Sequence, residues 1–386
     1  MRYTIGQLAE IIDGDRGKNY PKQDEFYPQG YCLFLNTGNV TKEGLTFEEN
    51  QFITKEKDEA LRKGKLKRGD IVYTTRGTVG NAGYYNSNVP YENVRINSGM
   101  VILRANGEIV DARFLYQILK SEYYRPYFKQ YCTGSAQPQL PIKNFSQIYL
   151  NVPDIKNQHR IADILSAYDD LIENNQKQIK LLEEAAQRLY KEWFVDLRFP
   201  GHENTKIVDG VPEGWIKEEI GKIIKKVHRT KQIVASEYKD EGSIPIVDQS
   251  RAFVAGYTND LEARVDFGIP IIVFGDHTRI VKLIQFPFAK GADGTQLIIS
   301  GCLEMPQRLL YCSIMNVDLS NYHYARHFKY LKEEKIMIPT VKVANEFENN
   351  VTGIFSKIQN CRDEIIRCQK TRDLLLPKLM SGEVEV

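Results

Sequence analysis

The sequence predicts an α+β chain built as two similar halves, each a globular part of mixed helix and strand followed by one long helix. The two helices are expected to pair as an antiparallel coiled coil about a pseudo-twofold axis. Three observations carry this. First, apolar positions at alternating steps of four and three run through Ile161, Leu165, Tyr168, Ile172, Asn175, Ile179, Leu182, Ala186, Leu189 and Trp193. A step of 3.5 residues held this long marks a coiled-coil seam and not a lone surface helix. Second, adding 186 to each number gives Phe347, Val351, Ile354, Ile358, Cys361, Ile365, Cys368, Arg372, Leu375 and Leu379, a second seam. Third, the offset extends upstream, because Leu150, Val152 and Pro153 lie 186 residues before Ile336, Ile338 and Pro339. A strand-like segment and a proline therefore lead into each helix, which two unrelated amphipathic helices would not share.

Taken in order, the chain divides into a first globular domain (1–153), a first helical region (154–199), a linker (200–214), a second globular domain (215–340) and a second helical region (341–386). The first domain opens with a short helical pattern at Ile5, Leu8, Ile11 and Ile12. Strand-like runs follow at 31–35, 70–74 and 100–103, then a helix at 113–120. The stretch TGSAQPQLPIKNF, with two prolines and a Gly-Ser pair, cannot hold regular structure and reads as an exposed loop. A strand at 147–152 leaves through Pro153 into a helix from about 157 to 195. The segment FPGHENTKIVDGVPEGW then has linker composition. The second domain opens like the first, with Trp215, Ile220, Ile223 and Ile224 matching Tyr3, Leu8, Ile11 and Ile12 at an offset of 212. The interiors look unalike: GIPIIVFGDHTR and FPFAKGADGTQLIIS stand where the first has GDIVYTTRGTVG and INSGMVILR.

At 386 residues and 42% hydrophobic composition the chain suits two or three domains, and no apolar run is long enough to span a membrane. The start, MRYTIGQLAE, carries no basic segment leading into an apolar one. Six cysteines without a CxxC pair point to a reduced, cytoplasmic setting. The net charge of +2 is unevenly spread. Residues 161–194 hold seven acidic and four basic side chains, so that helix is −3 and the remainder +5, which permits nucleic-acid binding.

Thirty-three helical residues span roughly 50 Å. Parallel pairing would force the linker after Val195 back along the whole rod at a large entropic cost, so antiparallel pairing is expected. With matched ends, Tyr168 then faces Arg372 and Ala186 faces Ile354, and Asn175 is the lone amide that fixes register. Two modules at such a separation suit patches about one to one and a half turns apart on a DNA duplex.

A catalytic reading fails on its own terms. An adenine methyltransferase needs an Asp/Asn-Pro-Pro-aromatic turn and a glycine-rich cofactor strand. Asn88-Val89-Pro90-Tyr91 lacks one proline and has no such partner. There is no GxxxxGK[ST] loop for ATP. His323 and His327 have a helical spacing without Cys or a carboxylate cluster, which reads as surface and not as a metal site. No metal and no resident cofactor are expected.

LIENNQKQIKLLEEAAQRLYKEWFVDLRFPG, the following VPEGW, GSAQPQL and above all TRDLLLPKLMSGEV resemble the specificity subunit of type I restriction-modification enzymes. The resemblance covers essentially the whole chain. It implies two target-recognition domains, each reading one half of a split double-stranded DNA sequence in the major groove. It implies that the helical regions set the gap and dock methyltransferase subunits, which carry S-adenosylmethionine and methylate adenine, and that a motor-nuclease subunit can join. It names no bases.

Base reading needs side chains with paired donors and acceptors on exposed loops. In the first domain these are Thr75, Arg76 and Asn81 after the 70–74 strand, and Ser135, Gln137 and Gln139 on the two-proline loop. In the second they are His277, Thr278 and Arg279, Lys290, and Tyr324, Arg326 and His327. Lys63, Lys65, Lys67 and Arg68, and Lys222, Lys225, Lys226, Arg229 and Lys231, form two basic clusters suited to phosphate contact or to plain solvation. Arg95 and Arg251 are weaker candidates, either of which suits a structural ion pair. The competing readings are a coiled-coil protein scaffold without DNA reading, a catalytic methyltransferase, and a specificity subunit serving a methylase alone or a fused methylase-nuclease.

Overall fold

The structure is a computed structural model that describes residues 1–134, 137–228, 230–322 and 326–385. It divides into two units, Met1–Asn174 with Glu364–Val386, and Asn175–Asp363.

In the first unit, strand Arg2–Thr4 pairs antiparallel with Tyr149–Asn151, and the Met1 amine donates to the Val152 carbonyl at 2.6 Å. The start of the globular part is thus tied to its end. An antiparallel four-stranded sheet runs in the order Ala9–Asp13, Met100–Ala105, Ile71–Thr74, Ala82–Tyr84. A second sheet sets Cys32–Leu35 parallel to Val94–Ile96, with Phe52–Ile53 antiparallel on its other edge. Helix Ala112–Lys120 is capped by Asp111, whose carboxylate accepts from the amides of Arg113 and Phe114. Phe114, Leu115 and Ile118 of that helix share one buried core with Ile71, Tyr73, Val101 and Leu103 of the sheet.

The second unit repeats this frame. Strand Ile216–Glu219 pairs with Lys335–Ile338, and the four-stranded order is Ile224–Lys225, Thr295–Ser300, Ile271–Gly275, Val281–Ile284. Strand Ile244–Val247 lies parallel to Phe288–Gly291, as Cys32–Leu35 lies parallel to Val94–Ile96. Helix Gln307–Met315 stands in the place of Ala112–Lys120. The interiors that look unalike in sequence differ in side chains and share their strand order. Ladders are made by backbone groups, so any sequence with suitable inward-facing residues satisfies them.

The first long helix spans Ile155–Tyr190, with Asp154 accepting from the amide of Asn157 at its start, and closes in a widened turn at Lys191–Val195. The second spans Val341–Ser381. All twenty seam positions are buried or half-buried, including Asn175 at 3% exposure. Within the first unit, Arg372 donates to Asp169 at 2.8 Å. Within the second, Arg362 donates to Glu183 at 2.8 Å, and the Trp193 and Phe347 rings lie 5.7 Å apart. Rising numbers on one helix meet falling numbers on the other, so the pairing is antiparallel. The register is close to the expected one: Arg372 meets Asp169, the neighbour of Tyr168, while Ala186 and Ile354 share one core. No described helix is long and apolar enough to cross a membrane.

Candidate nucleic-acid interface

Each unit carries the same backbone junction at the end of its central strand. In the first, the amides of Thr75 and Arg76 donate to the Gly99 carbonyl at 2.9 and 3.1 Å, and the Leu140 amide donates to the Thr75 carbonyl at 2.9 Å. The two-proline loop is thereby stitched to the turn after Ile71–Thr74. Gln139 pairs across to both Arg76 and Thr133. Arg76, Gln137 and Gln139 stand exposed on this rim. Thr75 and Asn81 do not. Thr75 is 4% exposed and its hydroxyl donates to Gly99 O, while the Asn81 amide donates to Val40 O at 2.9 Å and accepts from Arg125 at 3.5 Å. Both hold the rim together from beneath.

In the second unit Asp276 takes the place of Thr75. Its amide donates to the Gly294 carbonyl at 2.7 Å and its carbonyl accepts from the His327 amide at 2.9 Å. His277, Thr278 and Arg279 follow on an exposed turn. Arg279 has φ +60°, and its guanidinium donates to Leu319 O at 3.0 Å. His327 is a pin and not a surface residue. It is 5% exposed, with Nδ1 2.9 Å from the Asp276 carbonyl and Nε2 2.8 Å from that of Tyr322. Arg326 beside it is exposed. Ser135, Arg229, His323 and Tyr324 lie outside the described residues.

Of the basic residues, Lys226 is exposed, whereas Lys222 pairs with Glu218 and Glu219, whose carboxylates hold its ammonium above the usual lysine range. Lys231 is engaged by Asp260 and Glu262. Burial draws the half-buried Lys290 ammonium below that range. In the first unit Lys65 and Arg95 both grip the buried Asp58. Burial alone would raise that carboxyl, but its hydrogen bonds to Lys65 and Arg95 hold it below the usual range. Arg68 donates to the carbonyls of Val89 and Tyr91 at 2.9 and 3.1 Å and lies over the Tyr85 ring. Much of the first basic cluster is thus structural. Lys63 and Lys67 remain exposed. Gln249 and Asp293, which no sequence signal marks, also stand on the second rim. Among the described residues no cluster of His, Cys, Asp and Glu could hold a metal ion.

The chain thus holds two modules of one fold, each with its own set of exposed polar side chains on a shared loop junction, and two paired helices. Residues 1–184 match the family described as the type I restriction modification DNA specificity domain. The type I restriction enzyme MjaIX specificity subunit of Methanocaldococcus jannaschii is 28% identical over 85% of this chain and 81% of its own length. The HindI specificity subunit of Haemophilus influenzae is 32% identical over 50% of this chain and 42% of its own. The crystal structure of the type I restriction-modification S subunit from M. genitalium shares the fold, with a TM-score of 0.55 and 16% identity over 98% of this chain and 95% of that one. The chain is thus similar to type I restriction-modification specificity subunits, and residues 1–184 of it match their DNA specificity domain.

Proposed function

We propose that each module reads one half of a split, asymmetric double-stranded DNA site, with the paired helices fixing the gap. The observation that carries this is the repeated rim. One backbone junction, at Thr75 and at Asp276, presents Arg76, Gln137 and Gln139 in the first module and His277, Thr278 and Arg279 in the second. A shared frame with different donors and acceptors is what two readers of different half-sites require. Arg326, Lys226, Lys63 and Lys67 are assigned to phosphate contact, and Thr75, Asn81 and His327 to positioning. A gap of fixed length is supported by the unbroken helix Ile155–Tyr190, about 54 Å long at 1.5 Å per residue.

The domain limits follow the sequence division, 1–153 and 215–340 for the readers. The partners are adenine methyltransferase subunits carrying S-adenosylmethionine, with a motor-nuclease subunit joining them, in the cytoplasm. The test is protection of DNA by the chain together with its methyltransferase partner. One split sequence is expected to be protected, and inserting one base pair in its gap is expected to abolish protection. Indifference to the gap would refute the fixed spacing, and an affinity unmoved by added salt would favour a protein scaffold instead.

A further inference from the structure

The rim of the second unit holds a bridge that has no counterpart among the described residues of the first. Gln249 follows strand Ile244–Val247 and its side-chain amide spans two turns. Nε2 donates to the Asp293 carbonyl at 2.9 Å, and Oε1 accepts from the His277 amide at 3.1 Å. Its own carbonyl accepts from the Thr278 hydroxyl at 2.7 Å. The loop that bears it is anchored by Lys282, 5% exposed, whose ammonium donates to the carbonyls of Asp248, at 2.8 Å, and Ala252. A Cβ added to Gly294 would lie 2.7 Å from both the Gln249 amide nitrogen and the His277 ring, so both pack against the turn that carries Asp293. Asp293 itself is exposed and has φ +37°, a conformation that a non-glycine residue keeps only where its surroundings hold it.

The first unit builds the corresponding turn differently, since neither Ser98 nor Gly99, which match Asp293 and Gly294, has a positive φ. There Thr37 approaches Gly99, 2.9 Å from an added Cβ, where Gln249 approaches Gly294. Strand register places Asn36 where Gln249 stands, and its side chain accepts from the Gly38 amide within its own turn; Ser98 stands where Asp293 does. Asp and Asn both suit the positive φ of that turn, so what the backbone leaves open is why the residue there carries a charge. A carboxylate on a surface that meets phosphates weakens binding to every sequence alike. It is recovered only opposite a base-edge amine, and the amine that Asp and Glu accept from in the major groove is cytosine N4.

We infer that Gln249, His277 and Asp293 form one base-pair reader, in which the Asp293 carboxylate accepts from the exocyclic amine of a cytosine and Gln249 is the positioning residue. The inference rests on the reading of the chain as a DNA-sequence reader. The polar groups of Gln249 are spent on backbone, so its part is to fix the distance between the His277 and Asp293 turns. His277 faces the same base pair.

The test is selection from a randomised duplex pool by the full chain with its methyltransferase partner, read as enrichment at each position. Asp293→Gly suits the positive φ and so spares the fold. It is expected to lower cytosine enrichment about tenfold or more at one position of one half-site and to leave the other positions within about threefold. Gln249→Asn, the residue that strand register places there in the first unit, is expected to weaken the same position several-fold and no other. Cytosine enrichment that survives Asp293→Gly, or a loss spread evenly over all positions, overturns the inference while the split motif of the unaltered chain stands. An unaltered chain that enriches no split motif overturns the underlying reading and this inference with it.

Discussion

Helices Ala112–Lys120 and Gln307–Met315 occupy the same place in the two units, yet they grip the long helices differently. The second residue of each is an arginine: Arg113 meets Asp163 at 2.6 Å, and Arg308 meets Glu348 at 3.0 Å. Farther along they part. Gln117 and Lys120 of the first correspond to Cys312 and Met315 of the second, and Asp169, beside the seam, and the seam residue Arg372 correspond, at the offset of 186, to Phe355 and Ala186. The first unit thus buries ions, with Asp169 accepting from Gln117 at 2.6 Å, Lys120 at 2.7 Å and Arg372 at 2.8 Å. The second buries apolar groups, with Tyr311 edge-on to Phe355 at 5.6 Å and Ala186 packed in the same core. One backbone frame accepts either solution. Buried ions cost desolvation and are a weak source of stability. Their value here is that a duplicated seam could otherwise pair in more than one register.

The comparison breaks most sharply at Asp169. Replacing it with Ala leaves Lys120 and Arg372 buried without their common partner, an expected loss of about 3–5 kcal/mol in denaturant unfolding of the first unit. A loss under about 1 kcal/mol would mean that the site is solvated. Converting the first junction to the second, with Lys120→Met, Asp169→Phe and Arg372→Ala together, is expected to be neutral or to stabilise by about 1–4 kcal/mol. If the ions fix register, that triple variant also shows doubled amide resonances along the seam; a single set of resonances would remove the register role. Acid separates the two junctions again. Burial would raise the Asp169 carboxyl, but Lys120 and Arg372 outweigh it and hold it below its usual 3.8. Its contribution is therefore complete above about pH 4 and is lost as pH falls through the lowered value. The triple variant is expected to lose less stability between neutral pH and pH 2 than the unaltered chain, measured as the shift in unfolding midpoint.

The coil was legible because a seam repeats one physical demand, burial at every 3.5 residues, on the identity of each side chain. The likeness of the two modules was legible at their entry and exit segments and not in their middles, because what the middles share are backbone contacts such as Thr75 or Asp276 to a glycine carbonyl, and these constrain no side chain. The same blindness affects the rims. Thr75, Asn81 and His327 look in sequence like exposed readers, but each spends its polar atoms on buried backbone. Conversely Gln249 and Asp293 sit far apart in sequence and come together only through strand order. The two-proline loop marked its own exposure only at its tip, where Gln137 and Gln139 stand exposed beside Arg76; the expectation of no regular structure is corrected farther along it, since Ile142–Ser146 form a short helix and Leu140 and Phe145 are buried.

The smallest expected effect concerns the arginine that both junctions keep. The side chains of Arg308 and Glu348 are 16% and 17% exposed, and Glu348 also accepts from the Leu309 amide. Those of Arg113 and Asp163 are 37% and 64% exposed. Arg308→Ala removes a partly desolvated, hydrogen-bonded pair and is expected to cost about 1.5–3 kcal/mol. Arg113→Ala removes a solvated pair and is expected to cost under about 1 kcal/mol, falling further in added salt. Double-mutant cycles with Glu348→Ala and Asp163→Ala isolate the two coupling energies. Equal couplings would show that helix placement and not exposure sets the strength of the shared contact. A salt-insensitive Arg113 coupling would show that Asp163 is more enclosed in solution than its exposure implies.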